Sequence, residues 1–334
     1  MKIAVLGSGT WGIALSRVLS MNGFSVTVWS KFPEEAEKLR LTREAPNLPG
    51  IHIPDSIVLT SDAEEASDGA DFFLMAVPSI HVRKTTALFS GYCGNDPVWI
   101  NASKGIESDT LLTLTEVIED EAARNTGKTP KTVAISGPTH AEEVARDMPT
   151  LITAADSDKN VTAAVQQLFE GSCIRPYSNT DKRGVQICGA LKNVEALAVG
   201  IAKGLGYGDN TRAAMITRGM EEIRRLGLAM GCNERTFFGL AGIGDLIVTA
   251  TSSHSRNNRA GILIGQGKTP AEAIQEVGMV VEGVNALPAA IRLCNKYSMD
   301  MPLIHAVEEV ICNGADPKQI VQDLMSRKLK QETI

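Results

Sequence analysis

Met1-Lys2-Ile3-Ala4-Val5-Leu6-Gly7-Ser8-Gly9-Thr10-Trp11-Gly12 opens the chain. The apolar run at 2–6 predicts a strand, and residues 10–22, with Gly23 as the stop, predict a helix. Between them Gly7, Gly9 and Gly12 have the spacing G-x-G-x-x-G. A strand, a glycine loop and a helix in that order are the context in which this spacing binds a dinucleotide. Gly7 allows the tight turn, Gly9 lets the backbone approach a pyrophosphate, and Gly12 lets the helix pack closely on the strand. The free N–H groups and the dipole of the helix start then face the phosphates. Without the flanking elements the hexapeptide is weak evidence, because glycine turns are common in other α/β folds.

The next strand is expected at 25–29 and ends Trp29-Ser30-Lys31. Sites that select NAD usually carry Asp or Glu at this strand end to take the ribose hydroxyls. No carboxylate stands there, so NADPH is expected to be accepted and Lys31 to offset its 2′-phosphate, with NADH still usable. The alternative is that Lys31 is an ordinary solvated surface charge.

Working outward, further strands are expected at 57–60, 71–77, 98–102, 132–136, 150–154 and 174–177. Several are nearly continuous apolar runs, as strands covered on both faces should be. Helical stretches alternate with them, which means crossover connections and a mostly parallel sheet. The pattern changes at Asn179-Thr180-Asp181, a helix-capping sequence. Val185, Cys188, Leu191, Val194, Leu197, Ala198 and Ile201 then recur at helical spacing, predicting an amphipathic helix of about five turns. More helices are expected at 211–229, 255–266, 270–277, 282–296, 302–312 and 317–329, with almost no strand signal. The expected architecture is an α/β Rossmann domain over residues 1–180 and an all-helical substrate or catalytic domain over 181–334, joined by a continuous helix.

The 334 residues suffice for two cores. Apolar residues make up 43% and charged residues 22%, as in ordinary globular proteins. A net charge of -6 argues against a general nucleic-acid binder, yet leaves room for local basic pockets that hold phosphate. Six dispersed cysteines without C-x-x-C spacing read as reduced thiols, and the histidines form no metal motif, so no metal is expected. The N-terminal apolar run falls short of a signal peptide, and no run of about 18 apolar residues occurs. A cytoplasmic location without a membrane span is expected.

Four polar segments stand out. Ser103-Lys104-Gly105 and Ser136-Gly137-Pro138-Thr139 each follow an expected strand, where the carboxyl ends of a parallel sheet line a ligand crevice. Lys104 reads either as a ligand contact or as a surface charge, and the second segment either as a substrate loop or as a plain turn. Lys192 sits beside Leu191 on the apolar side of its helix. Such a lysine is either buried with a task, its pKa easily shifted, or snorkelling from the edge of the stripe. Asp245 lies in the glycine-rich run 239–245, and Ser255-Arg256-Asn257 starts a helix. Arg256 could grip a phosphate there, with Ser255 and the helix start adding donors, or be an exposed arginine beside a cap.

Together these segments resemble the NAD(P)-dependent glycerol-3-phosphate dehydrogenases of bacterial type. The resemblance runs in order through Gly7-Ser8-Gly9-Thr10-Trp11-Gly12, Ser103-Lys104-Gly105, Ser136-Gly137-Pro138-Thr139, Ala190-Leu191-Lys192-Asn193-Val194, Thr217-Arg218-Gly219, Gly242-Ile243-Gly244-Asp245-Leu246, Ser255-Arg256-Asn257 and Val281-Glu282-Gly283. It implies a helical domain like that of 6-phosphogluconate dehydrogenase and reversible hydride transfer between NAD(P)H and dihydroxyacetone phosphate. The product, sn-glycerol 3-phosphate, feeds glycerophospholipid synthesis. By the same resemblance Thr10, Trp11, Lys31, Lys104, Ala141, Arg256, Val280 and Glu282 approach the cofactor. Lys104, Gly137, Thr139, Lys192, Asp245, Ser255, Arg256 and Asn257 approach the substrate. Lys192 would be the general acid/base, with Lys104 and Asp245 beside it in the catalytic set. A homodimer follows from family habit alone. Two residues depart from the family pattern: Glu195, one turn after Lys192 and so able to pair with it, and His140. The rival readings are a related β-hydroxyacid or 6-phosphogluconate-type dehydrogenase and a non-enzymatic NAD(P)-sensing protein.

Overall fold

The computed structural model describes residues 1–94, 96–329 and 331–332. Its strands are β1 (Lys2–Leu6), β2 (Ser25–Trp29), β3 (Val58–Thr60), β4 (Phe72–Met75), β5 (Val98–Asn101), β6 (Thr132–Ser136), β7 (Thr150–Ala155) and β8 (Ile174–Asn179). They form one sheet in the order β3-β2-β1-β4-β5-β6-β7-β8. Every neighbouring pair is parallel except β6 and β7. The expected strands are all present. The stretch 71–77 is trimmed to β4, and the end of 174–177 is extended to Asn179 by pairing with β7.

Side-chain alternation shows why these strands read as unbroken apolar runs. Ile3 and Val5 of β1 and Phe72 and Leu74 of β4 enter one core, while Ala4, Leu6, Phe73 and Met75 enter another. Successive side chains point to opposite faces of the sheet, and both faces are covered. The chain reverses its direction of sheet growth between β1 and β4, the switch point outside whose carboxyl ends open α/β sheets bind ligands.

After β8 come helices. Asp181 caps the helix Lys182–Gly204 by accepting the Gly184 N–H at 2.9 Å. The expectation of an amphipathic helix is corrected here: every residue from Gly184 to Ala202 is buried, including Gln186, Lys192, Asn193 and Glu195. It is the central helix of the unit, enclosed by the helices Asp209–Ala229, Asp245–Thr251, Arg256–Gly265, Glu282–Tyr297 and Pro302–Ile311. Its polar residues therefore need partners inside the protein rather than water. This helix is long and apolar enough to cross a membrane, but its apolar stretch is buried among its neighbours. The helix expected at 317–329 is found as Pro317–Met325, and the expected end of the second unit at 334 lies outside the described residues.

Candidate active site

The glycine loop joins β1 to the helix Thr10–Met21. Gly7 has φ +121°, and a Cβ on it would sit 2.8 Å from the Ala76 carbonyl oxygen. A Cβ on Gly12 would collide with the Gly7 carbonyl, so this residue lets helix and strand meet. Gly9 differs: a Cβ there would have nothing within 4 Å, and the residue caps the helix without any side-chain bond to its free N–H groups. Thr10 Oγ1 is buried and unpartnered. Open space, unfilled backbone donors and an orphaned hydroxyl at one helix start fit a dinucleotide diphosphate.

The loops after β5 and β6 converge on the central helix. Ser103 Oγ donates to the Val77 carbonyl at 2.6 Å and pins the first loop to the end of β4. Lys104 Nζ then donates to Asp245 Oδ2 at 2.6 Å and to the Gly137 carbonyl at 3.2 Å. Thr139 Oγ1 reaches the same carbonyl at 3.1 Å. From the central helix Lys192 Nζ donates to the other oxygen of that carboxylate, Asp245 Oδ1, at 2.8 Å, and also to Thr249 Oγ1. Lys192 and Asp245 are only 4% and 1% exposed, which removes the snorkelling reading of Lys192. A glycine turn delivers Asp245 here. Gly242 adopts φ -92°, ψ -107° against the Phe237 backbone, and Asp245 opens the next helix.

One carboxylate thus lies between two ammonium groups. Burial opposes the Asp245 charge, but Lys104 and Lys192 outweigh it and hold the carboxyl below its usual range. Burial lowers Lys192 to about 7; Asp245 pulls it back up while the nearby Lys104 charge pushes it down. A buried lysine near neutrality can give or take a proton, and while Lys192 is protonated the cluster carries an excess positive charge suited to an anionic ligand.

Beside it, Ser255 caps the helix Arg256–Gly265, its hydroxyl oxygen accepting the Asn258 N–H at 3.2 Å. Arg256 is half-buried rather than an exposed arginine beside a cap, with Nη1 3.5 Å from the Val280 carbonyl. Burial lowers its pKa, while Glu142 and Glu282 work the other way. Asn257 Nδ2 donates to Asn193 Oδ1 at 3.0 Å, and its Oδ1 accepts the Gly283 N–H at 2.8 Å. Glu282 reaches across to the sheet, accepting from Ser79 N at 3.0 Å and Ser79 Oγ at 2.6 Å. Ala141 starts the short helix Ala141–Val144, directly after the β6 loop.

Known proteins match this arrangement. The model of the NAD-dependent glycerol-3-phosphate dehydrogenase N-terminus matches residues 2–162, and that of the C-terminus matches 181–322. The chain belongs to this family. The glycerol-3-phosphate dehydrogenase (NAD(P)+) 2 of Lactobacillus delbrueckii subsp. bulgaricus is 55% identical, over 99% of this chain and 98% of that protein. The glycerol-3-phosphate dehydrogenase (NAD(P)+) of Fusobacterium nucleatum is 46% identical over the same shares. The crystal structure of glycerol-3-phosphate dehydrogenase from Coxiella burnetii superposes with a TM-score of 0.92 at 33% identity, covering 98% of this chain and 99% of that one.

At the end of β2, the expectation that no carboxylate stands there needs a correction. Lys31 is exposed and in no salt bridge among the described residues. A carboxylate does reach this place: Glu35 Oε2 accepts from Ser30 Oγ at 2.6 Å and from Ser8 Oγ at 2.9 Å. It comes from the first turn of the next helix, Pro33–Thr42, so inspection of the strand end alone misses it. Thr249 and Asn193 were also missed as supports of Lys192 and Asn257. Thr249 lies one turn after Asp245, a spacing that puts both on one helix face. Glu195 does not pair with Lys192. Both its oxygens are buried without partners, and burial together with the neighbouring Glu222 raises its pKa well above the usual value. The His140 ring lies 5.6 Å from that of His254, tilted by 54°, with Nε2 unpartnered, and burial lowers its pKa.

Proposed function

We infer that this chain is an NAD(P)-dependent glycerol-3-phosphate dehydrogenase, interconverting dihydroxyacetone phosphate and sn-glycerol 3-phosphate. The observation that carries the reading is the Lys104–Asp245–Lys192 bridge, set at the carboxyl ends of β5 and β6 beside the dinucleotide loop. Gly7, Gly9, Thr10, Trp11 and Gly12 would hold the cofactor diphosphate, with Ala141, Val280 and Glu282 farther along it. When bound, the nicotinamide supplies the hydride. As negative charge develops on the C2 carbonyl oxygen, the Lys192 ammonium stabilises and protonates it, an effect typically worth ~10²–10⁴-fold. Lys104 adds positive field, and Asp245 holds both lysines in place. Gly137 and Thr139 border the reacting end. Arg256, with Ser255 and the second N–H of Asn257, grips the phosphate, so binding energy away from the reacting carbon fixes its orientation.

On this reading residues 1–180 are the cofactor domain and 181–334 the substrate domain. Family resemblance alone supports a cytoplasmic location and a homodimer, the latter decided by light scattering. The functional test follows NADH oxidation with dihydroxyacetone phosphate. Wild type should turn over, and Arg256→Ala should raise KM for the phosphate ester about tenfold or more while scarcely affecting dihydroxyacetone, through loss of a charge-assisted contact. Equal losses for ester and analogue would place Arg256 elsewhere in the mechanism.

A further inference from the structure

We propose that Glu35 reads the adenosine ribose of the cofactor, with Ser8 and Ser30 holding its carboxylate so that NADH is favoured over NADPH. The inference rests on the dinucleotide site described above. Ser8 stands between Gly7 and Gly9 in the glycine loop, and Ser30 is the first residue after β2. A carboxylate bonded to both hydroxyls spans the gap between the ends of β1 and β2. In a dinucleotide-binding sheet that gap holds the adenosine ribose.

Three features suit Glu35 to the task. Both serines donate to Oε2, and Oε1 enters no hydrogen bond among the described residues, so one oxygen is left to accept from a ribose hydroxyl. Glu35 lies in the first turn of the helix Pro33–Thr42, whose start has no side-chain cap. Free N–H groups at that end of a helix favour a negative charge beside them. Finally, its position is held by two bonds from different elements, whereas Lys31 nearby in the chain is exposed. A carboxylate that only accepts welcomes the 2′-hydroxyl as donor and repels a 2′-phosphate. The lysine opposes this, but its charge is exposed to water, so its pull on a phosphate is weakened by solvent and, beyond about 8 Å, by physiological salt.

The test is fluorescence titration of NADH and NADPH binding to wild type, Glu35→Gln, Ser30→Ala and Lys31→Ala. Wild type should bind NADH about tenfold or more tightly than NADPH, the scale of one charge-assisted hydrogen bond. Glu35→Gln should bring the two dissociation constants within about threefold of each other, chiefly by tightening NADPH. Ser30→Ala should shift the ratio the same way by a smaller factor, and Lys31→Ala should weaken NADPH modestly, less so at high salt. A wild type that binds NADPH at least as tightly as NADH overturns the proposal. So does a Glu35→Gln variant that changes both affinities by one factor, which is what a purely structural role gives. Turnover of dihydroxyacetone phosphate is measured in parallel. Loss of turnover with both nucleotides while the binding ratio still moves counts against the reaction and leaves Glu35 standing; turnover with an unmoved ratio overturns Glu35 and leaves the reaction standing.

Discussion

On the proposed function Lys192 would be an acid in one direction of the reaction and a base in the other, and a pKa of about 7 suits both. Carbonyl reduction needs the ammonium, so its rate should fall as pH rises through about 7; oxidation of glycerol 3-phosphate needs the free amine and should rise over the same range. Asp245 is what holds the lysine up against burial. In Asp245→Asn the reductive profile should therefore move to lower pH, and an unmoved profile would mean that another group titrates. Lys192→Ala should cut turnover ~10²-fold or more while NADH affinity, read by fluorescence, stays within about twofold. A variant that keeps more than about a tenth of the rate removes Lys192 from the acid/base role.

At the scale of elements, two helices hold the two halves of the proposed substrate site against each other. A Cβ on Gly200 of the central helix would sit 3.0 Å from Gly261 Cα, and one on Gly204 would sit 2.9 Å from Gly265 Cα. Glycines four residues apart on both helices let the backbones touch, and so set Lys192 and Asn193 beside Asn257. Gly261→Ala should destabilise the protein by about 1–3 kcal/mol through overpacking against the Leu197 carbonyl. It should also lower kcat more than NADH affinity, because the displaced helix carries Arg256 and Asn257. Arg259→Ala, at an exposed position of the same helix, should change stability by less than about 0.5 kcal/mol. Thermal unfolding of the two variants beside the wild type checks the contrast, and equal effects would show that the close approach carries no strain.

At the scale of the whole molecule, Glu195 stands out among the described residues as a buried acid, 1% exposed, with neither oxygen bonded. Glu222 lies near it and is itself raised to about 7, chiefly by burial, although it accepts the Leu303 N–H at 3.0 Å. A carboxyl whose pKa is raised on folding contributes stability below its unfolded value and loses that contribution as pH climbs through the folded value. The wild type should therefore weaken as pH rises from about 4.5 through about 7 and beyond. Glu195→Leu removes the orphaned acid and replaces it with a slightly larger apolar side chain. It should gain about 1–3 kcal/mol at pH 8, less at pH 5, and flatten the dependence. Urea unfolding at the two pH values measures this, and a variant less stable than wild type at pH 8 would mean that Glu195 has a partner in solution.

What the sequence determined by itself was whatever lies within one strand or one helical turn. Gly7, Gly9 and Gly12 mark the junction of β1 with the helix Thr10–Met21 because their spacing matches a single strand–turn–helix. Asp181 and Ser255 mark helix starts because a cap acts over three residues. Continuous apolar strands, switching near Asp181 to helical periodicity, separate a covered parallel sheet from a helical unit for the same local reason. The polarity of the central helix misled, since burial on all sides depends on how many neighbours pack around it, and no periodicity records that. Only the tertiary structure decided which charges meet. Lys104 and Asp245 are 141 positions apart, Lys192 and Asp245 are 53 apart, and Glu35 finds Ser8 across 27. Each was legible as a polar residue, and for Lys104, Lys192 and Asp245 family resemblance supplied a role. Their pairing, and the shift it imposes on Lys192, depend on loop ends brought together by strand order and on the exclusion of water between them. Charge interactions strengthen there because the medium around them has changed, and a chain of letters carries no dielectric.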